Sequence, residues 1–497
     1  SRAKRAKKRR RPPGSRVRKT LLPRVIELLP KTDRDFPSQN PFVQCARDQL
    51  ERVALSKVLV ISNDRVNKKM GGTAIRYWEF ARMLSRWHDV TLAVPNETDL
   101  ASSSFFILRY NLGLLKKAIQ QTDIVVAQRL DPLLLPLAVK LRKPLAVDLY
   151  SPYPIESLSW LAHRNLRLRT LFAALELSMA RLQLHAGDFF MCANERQRDF
   201  WIGALMALGR ITPRYYDRDP NLLDLIGIVP FGMPAVFPRH TRAVLKGVDH
   251  RIQATDTVLI WNGGLWSWMD PLTLIRAMAE VSCVRKDIKL FFMGGKNPNP
   301  NLFQMSMADR AVQLSRELNL LDKVVVFNEN WIPYEERHNY LLESDIGISI
   351  HPCHVETRFS YRTRVLDCIW THLPSIVSDG DATSTLIAEK GLGVVVRSGD
   401  VHGLARAILD LADNPETLST FRENNARTAG ELTWEKVSVP LQDFCGNPRV
   451  LRDKSLDPGW LYASGVVHYM RRGFLEMKMN GVRKAFERIY SRIFPVA

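Results

Sequence analysis

The chain has 497 residues, 46% of them hydrophobic and 25% charged, and a formal net charge of +20. That length suits two domains of roughly 200 residues rather than one core, no apolar run approaches the ~18 residues of a membrane span, and no apolar segment follows the basic N-terminus as a signal peptide requires. The charge sits at the ends: residues 1–24 hold twelve Lys/Arg and no acid, residues 448–497 carry a net +6, and residues 25–447 are left near neutral at about +2. The charge therefore speaks to what the ends touch, and it weighs against a nucleic-acid surface spread over the body.

Residues 1–54 read as a basic arm, SRAKRAKKRRRPPGSRVRK, followed by a short helix over LLPRVIELLP. A first strand, KVLVIS, has the unbroken apolar run of a buried parallel strand. The loop NDRVNKKMGG leads to a helix, TAIRYWEFARMLSRW, and then to the strand DVTLAVP. This β–loop–α–β order opens a doubly wound sheet. DIVVAQR, PLAVDLY, DFFMCAN and IGIVPFGMP continue as strands, with a long helical stretch over Ser157–His185 between the second and third of them. The rhythm restarts after Gly232–Pro238. TVLIWNGGLWSW is a strand into a glycine turn, and Asp270 and Pro271 are placed to cap the next helix. IKLFFMGG, KVVVFNENW, IGISIHP, LPSIVS and LGVVVRSGD supply further strands, with helices between. Ligands of doubly wound sheets lie at the carboxyl ends of the strands, so two such units point to a cleft between them.

The candidate residues lie at those strand ends. Gly71-Gly72 and Gly263-Gly264 each follow a strand, where backbone amides either face a phosphate or merely turn the chain. RFSYRTRVLDCIWTHLPSIVSDGD, residues 358–381, is more unusual. With Ser360 as N-cap and a helix over Tyr361–His372, Arg362 and Arg364 fall in a first turn, where the helix dipole disfavours cations. A bound anion resolves that conflict. Asp367 then either pairs with Arg364 or accepts from a ribose diol. Six scattered cysteines without a CxxC pair argue for a reducing compartment. His351-Pro-Cys353-His354 has metal-ligand types but no second cluster at zinc spacing, so no metal is expected.

The motifs KVLVIS…GGTAIRYWEFARML, DLYSPYPIE, CANERQRDFWIGAL, IVPFGMP, LIWNGGLWSWMDPLTLIRAM, FFMGG, VVFNENWIPYEER and ETRFSYRTRVLDCIWTHLPSIVSDGD resemble GT-B glycosyltransferases of the retaining family 4 type over about residues 55–446. The resemblance implies two Rossmann-like doubly wound domains facing across a cleft, flanked by the basic arm and a C-terminal helical extension. It implies an acceptor domain over 55–234, a donor domain over 235–432, a crossover helix over 433–446 and a basic amphipathic tail over 447–497. It further implies a cytoplasmic enzyme that needs no metal or cofactor and takes a nucleotide diphosphate-sugar as donor. The acceptor would be a glycan or lipid-linked glycan in bacterial surface polysaccharide assembly.

In that family two glutamates eight residues apart precede the Ala/Gly-Pro strand. Here Asp367 takes the second place, and the resemblance implies that it holds the ribose. Phe359 stands at the first place, and the nearest acid is Glu356. The family's diphosphate-holding Arg and Lys would fall near Gly264 and Met269, so Arg362 and Arg364 are expected to supply that charge. Asp148 is a cleft residue or a loop cap, and Trp331 a base-stacking ring or a core aromatic. Apolar residues at helical spacing over Leu461–Phe494, with seven Lys/Arg against two Glu, predict an amphipathic helix lying on an anionic membrane or packed on the enzyme. The alternative functions are an inactive nucleotide-sugar-binding scaffold and, less favoured, a nucleic-acid-binding protein that uses the basic arm.

Overall fold

Two all-parallel sheets organise the computed structural model, which describes residues 55–161, 164–294, 306–451 and 456–481. The arm expected over 1–54 and the tail beyond Gly481 lie outside those residues. The first unit contains β1 (Lys57–Ile61), α1 (Gly72–Leu84), β2 (Asp89–Val94), β3 (Phe106–Arg109), α2 (Leu112–Gln121), β4 (Ile124–Ala127), α3 (Leu135–Lys140) and β5 (Leu145–Asp148). It continues with α4 (Tyr153–Trp160), α5 (Leu166–Ala186), β6 (Phe189–Cys192), α6 (Glu195–Ala207), α7 (Pro213–Tyr216) and β7 (Ile226–Ile228). Its strand order is β3-β2-β1-β4-β5-β6-β7.

The second unit contains β8 (Thr257–Trp261), α8 (Pro271–Val284), β9 (Ile288–Phe292), α9 (Met307–Glu317), β10 (Val325–Phe327), α10 (Arg337–Leu342), β11 (Ile346–Ser349), α11 (Val355–Phe359) and α12 (Arg364–Trp370). β12 (Ser375–Ser378), α13 (Ala382–Lys390), β13 (Gly393–Val396), α14 (Val401–Ala412) and α15 (Pro415–Ala429) complete it, in the strand order β10-β9-β8-β11-β12-β13. Strand order reverses between β1 and β4 and between β8 and β11. Those are the points where loops after the strands part and leave a crevice.

The strands form where they do because their runs are apolar on both faces. Val58, Leu59, Val60 and Ile61 are all buried, in register with Val90–Ala93 on one side and Ile124–Ala127 on the other. Side-chain caps fix several helix starts: Asn194 accepts from Gln197 N, Asp270 from Thr273 N and Asp381 from Ser384 N.

Three sequence expectations are corrected. β3 and α2 lie in a stretch where no element was expected. The long helix expected over Ser157–His185 is two helices, α4 and α5, with Asn165 capping the second. The helix expected over Tyr361–His372 starts only at Arg364: Ser360 ends α11 in an extended conformation, and Arg362 lies in the connection.

The chain crosses between domains twice, and the crossings pair with each other. Met233 N donates to Leu432 O and Trp434 N to Met233 O, both at 3.0 Å. A Cβ on Gly232 would lie 2.8 Å from Trp434 Cα, so this close approach requires glycine. The expected crossover over 433–446 is a pair of short helices, α16 (Trp434–Val437) and α17 (Val439–Gly446). They return to the first domain, where Phe444 stacks on Phe189 at 5.1 Å. α18 (Pro458–Asn480) follows. One of its faces packs on the first domain through Leu461 and Leu475, while Val467, Met470, Phe474 and Met477 on the other stay exposed. Among the described residues no helix is long and apolar enough to cross a membrane. On one side of the cleft the two domains share an apolar cluster that joins Tyr77 and Phe80 of α1 to Val365, Leu366, Ile369 and Trp370 of α12.

Candidate functional site

That cluster sets α12 opposite the N-terminus of α1, and two glycine turns meet the arginine motif there. Gly71 precedes α1 without a capping side chain, and no acid occupies the first turn. A Cβ on Gly72 would lie 4.0 Å from Thr363 Oγ1 of the other domain. From the second domain, the turn after β8 brings Gly263 and Gly264 against Arg364. Arg364 Nη2 donates to Gly264 O at 3.0 Å, and a Cβ on Gly263 would sit 3.3 Å from the guanidinium carbon. Asn262 Nδ2 donates to Arg364 O at 2.8 Å and ties the turn to α12.

Arg364 is 8% exposed, and its charge has no acidic partner among the described residues. Its guanidinium lies 4.7 Å from the Trp261 ring, and Nη1 has no hydrogen-bond partner among the described residues. Burial, with Arg362 adding repulsion, pushes its pKa down to about 9. Such a group is costly unless an anion completes it.

Arg362 differs. Its Nη1 and Nη2 donate to Glu356 Oε1 and Oε2 at 3.1 and 2.8 Å, a bidentate pair buried on both sides. Its Nε lies 3.8 Å from Asp381 Oδ2, which is itself 3.2 Å from His351 Nε2. The chain Glu356–Arg362–Asp381–His351 thus braces the motif from beneath. His354 Nδ1 stands 3.8 Å from Glu356 Oε2.

Asp367 is turned elsewhere. Arg337 Nε donates to its Oδ1 at 3.0 Å, and that guanidinium is sandwiched between the rings of Tyr334 and Trp370 at 3.8 and 4.5 Å. The pairing of Arg364 with Asp367 weighed from sequence is therefore replaced by Arg337–Asp367. Asp148 is fully buried in the first domain. Arg76 holds it through Nε–Oδ2 at 2.7 Å and Nη2–Oδ1 at 2.9 Å, and also donates to the carbonyls of Val229 and Pro230. Trp331 reaches across the cleft, its Nε1 donating to Met70 O at 3.3 Å. The structure thus gathers Gly71, Gly72, Gly263, Gly264, Arg364 and Trp331 around one cleft region. It leaves Asp148 enclosed and Arg362 and Glu356 locked together.

Sequence reasoning missed Glu156. It lies in the first turn of α4, past the carboxyl end of β5, and accepts from the Ser151 hydroxyl. Burial, reinforced by the Glu356 charge across the interface, pushes its pKa up to about 7. An acid soon after a strand end, in the quoted run DLYSPYPIE, was the available signal.

No protein-family model and no curated protein matches the chain. Solved structures do. A sucrose-phosphate synthase from Thermosynechococcus elongatus is 15% identical, with 78% of this chain and 98% of that one covered at a TM-score of 0.53. WaaG, a glycosyltransferase of lipopolysaccharide biosynthesis, is 14% identical over 79% and 100% at 0.52. HepE of Anabaena, in complex with UDP-glucose, is 14% identical over 78% and 97% at 0.53. The fold is GT-B. The GT-B architecture puts both switch points of this chain at one cleft, where the two glycine turns lie.

Proposed function

We propose that the chain is a retaining, metal-independent glycosyltransferase that takes a sugar from a nucleotide diphosphate-sugar. The observation that carries this reading is Arg364, a buried cation without an acidic partner among the described residues, laid against the Gly263-Gly264 turn. A diphosphate is the anion that suits it. Nη1 would donate to a phosphate oxygen, and the uncapped amides at the start of α1 would approach from the other domain. The charge-assisted bond strengthens as the leaving diphosphate gains charge, which is where such a group accelerates transfer. Asp367, oriented by Arg337, would accept from the ribose, and Trp331 would line the base. Glu356, oriented by Arg362, would face the donor sugar. Solved neighbours that hold UDP with glucose, or UDP-glucose, support a nucleotide-sugar as ligand.

The acceptor on this reading is a glycan or lipid-linked glycan of bacterial surface polysaccharide, met at the inner face of the cell membrane. Support comes from α18, whose exposed stripe of Val467, Met470, Phe474 and Met477 lies beside Arg471 and Lys478. A second reading, a nucleotide-sugar binder without turnover, draws on Phe359. It stands where the family has an acid and packs on Phe200 at 5.2 Å.

Calorimetry with UDP-, GDP- and dTDP-sugars tests the donor. One of them should bind the native protein and fail with Arg364→Met, while release of its nucleoside diphosphate separates the enzyme from the inert binder. Normal affinity in Arg364→Met overturns the clamp.

A further inference from the structure

Arg364 Nη1 is closed to solvent, so an anion reaches it only if something moves. The glycine turn beside it is covered as well: the Trp266 ring would lie 2.9 Å from a Cβ on Gly264. Trp266 begins an aromatic row, Trp266–Trp268–Trp160–Phe172, with centroids 5.5, 6.1 and 5.8 Å apart. The first two rings belong to the second domain and the last two to the first, so the row closes the cleft beside the β8 turn.

The contacts between the domains divide between the two faces of the first sheet. On one face lie the paired crossings. The cluster that holds Met233 and Trp434 there also holds Tyr77 and Phe80 of α1 with Val365 and Ile369 of α12. The bonds from Tyr334 N to Lys68 O at 2.9 Å and from Trp331 Nε1 to Met70 O belong to the loop that leads into α1. Covalent connection and continuous apolar packing make this face the hinge. α4 and α6 lie on the opposite face, where Tyr153 and Trp201 fill the other core. Their grip on the second domain is polar and aromatic. Gln197 Nε2 donates to Phe359 O at 2.8 Å, Arg196 Nη1 to Gly380 O at 2.9 Å and Arg196 Nη2 to Thr385 Oγ1 at 3.2 Å. Phe200 meets Phe359, as Trp160 meets Trp268. Gln197 is fully buried and set for this role. Asn194 Oδ1 accepts its N–H at 2.9 Å as the helix cap, and its own Oε1 accepts from Ala193 N at 2.8 Å, which leaves Nε2 for the other domain.

We propose that the first turn of α6 is a latch: Arg196 and Gln197 hold the end of α11 and the β12–α13 turn against the first domain, and their release lets the domains part about Gly232–Trp434. Parting on that face separates Trp160 from Trp268 and uncovers the turn on which Arg364 lies. Opening, not closing, is then the step that entry of an anion demands. The latch lowers apparent affinity, because a ligand meets only the fraction of molecules that are open. That the admitted anion is a nucleoside diphosphate rests on the proposed function; the latch does not.

Small-angle scattering of the full chain, with calorimetry using UDP, GDP and dTDP, tests the latch. Arg196→Ala combined with Gln197→Met should enlarge the radius of gyration. The nucleoside diphosphate that binds the native protein should bind this variant roughly tenfold more tightly, because the latch bonds no longer oppose opening. Adding that nucleotide should also expand the native protein. Should the double variant fail to fold, Arg196→Ala alone keeps the α6 cap and should shift both quantities in the same direction by less. Arg198→Ala is the control: its guanidinium bonds within the first domain to the carbonyls of Ile226 and Asn221, so its loss should lower the melting temperature and leave radius and affinity as they are. A radius or an affinity unchanged in both latch variants overturns the latch, as does a native protein that keeps its radius or contracts on binding. Enlarged latch variants that bind no nucleoside diphosphate leave the latch standing and remove the donor reading alone.

Discussion

Arg76 and Arg364 are both buried guanidinium groups, one beneath each sheet's carboxyl edge, and they are treated in opposite ways. Arg76 in the first domain is saturated: a bidentate carboxylate, two backbone carbonyls, and the rings of Phe80 and Tyr150 at 4.5 and 4.8 Å. Arg364 in the second has one carbonyl and one ring. The first arrangement holds the domain together, and the second leaves a charge to be met from outside. A buried cation identifies a binding position only when its internal partners are counted.

The contrast can be broken by mutation. Asp148→Ala should have the largest effect, about 3–5 kcal/mol of unfolding free energy, because it strands Arg76 in a fully buried place; urea denaturation measures it. Arg364→Met should act in the reverse sense. It should cost about 2–5 kcal/mol of nucleotide-sugar affinity and yet raise the melting temperature of the free protein. The penalty on Arg364 is present while the group is charged and is relieved as pH rises through about 9, so the stabilisation should be full below that pH. Arg364→Lys should keep part of the affinity, since lysine supplies charge without the planar fork. Arg362→Met sharpens the comparison, since it strands Glu356 and should lower the melting temperature.

Glu156 adds a pH signature. Its carboxyl titrates near 7 in the fold, above its ordinary range. Its contribution to stability is therefore full below pH ~4.5 and is lost as pH rises through ~7, by up to about 3 kcal/mol. Glu156→Gln should flatten that part of the stability profile, read by denaturation at pH 5 and pH 8. Gly232→Ala, forced against Trp434, should cost about 1–3 kcal/mol and loosen the paired crossings, which calorimetric melting resolves. The smallest effect belongs to α18. Met470→Glu with Phe474→Glu should abolish flotation with anionic vesicles at unchanged melting temperature, because neither side chain is packed.

Much of this architecture was legible in the sequence. β1, β4, β5 and β6 announce themselves because strands buried on both faces must be apolar throughout. β3 did not, because it is a sheet edge with only partial burial. The glycine turns were legible from their place after strands. The difference between Arg362 and Arg364 was not: it depends on α12 starting at Arg364, which leaves Arg362 in the connection from α11, paired with Glu356. Of the two readings open for Asp367, the pairing with Arg364 fails because its partner, Arg337, comes from a separate element 30 residues away. Glu156 was missed because its character comes from burial and from the Glu356 charge across the interface, which spacing alone does not reveal.

The return of the chain to the first domain has a consequence for biosynthesis. Trp434, Leu441, Phe444, Cys445 and Leu461 belong to the apolar cores on either face of the first sheet. They leave the ribosome roughly two hundred residues after β7, a delay of about 10–40 s at ordinary elongation rates. The first domain is translated first and completed last. The second domain, continuous in sequence, is expected to fold while its neighbour still exposes apolar surface, so a nascent chain halted near Gly430 should be the species that most needs chaperone cover.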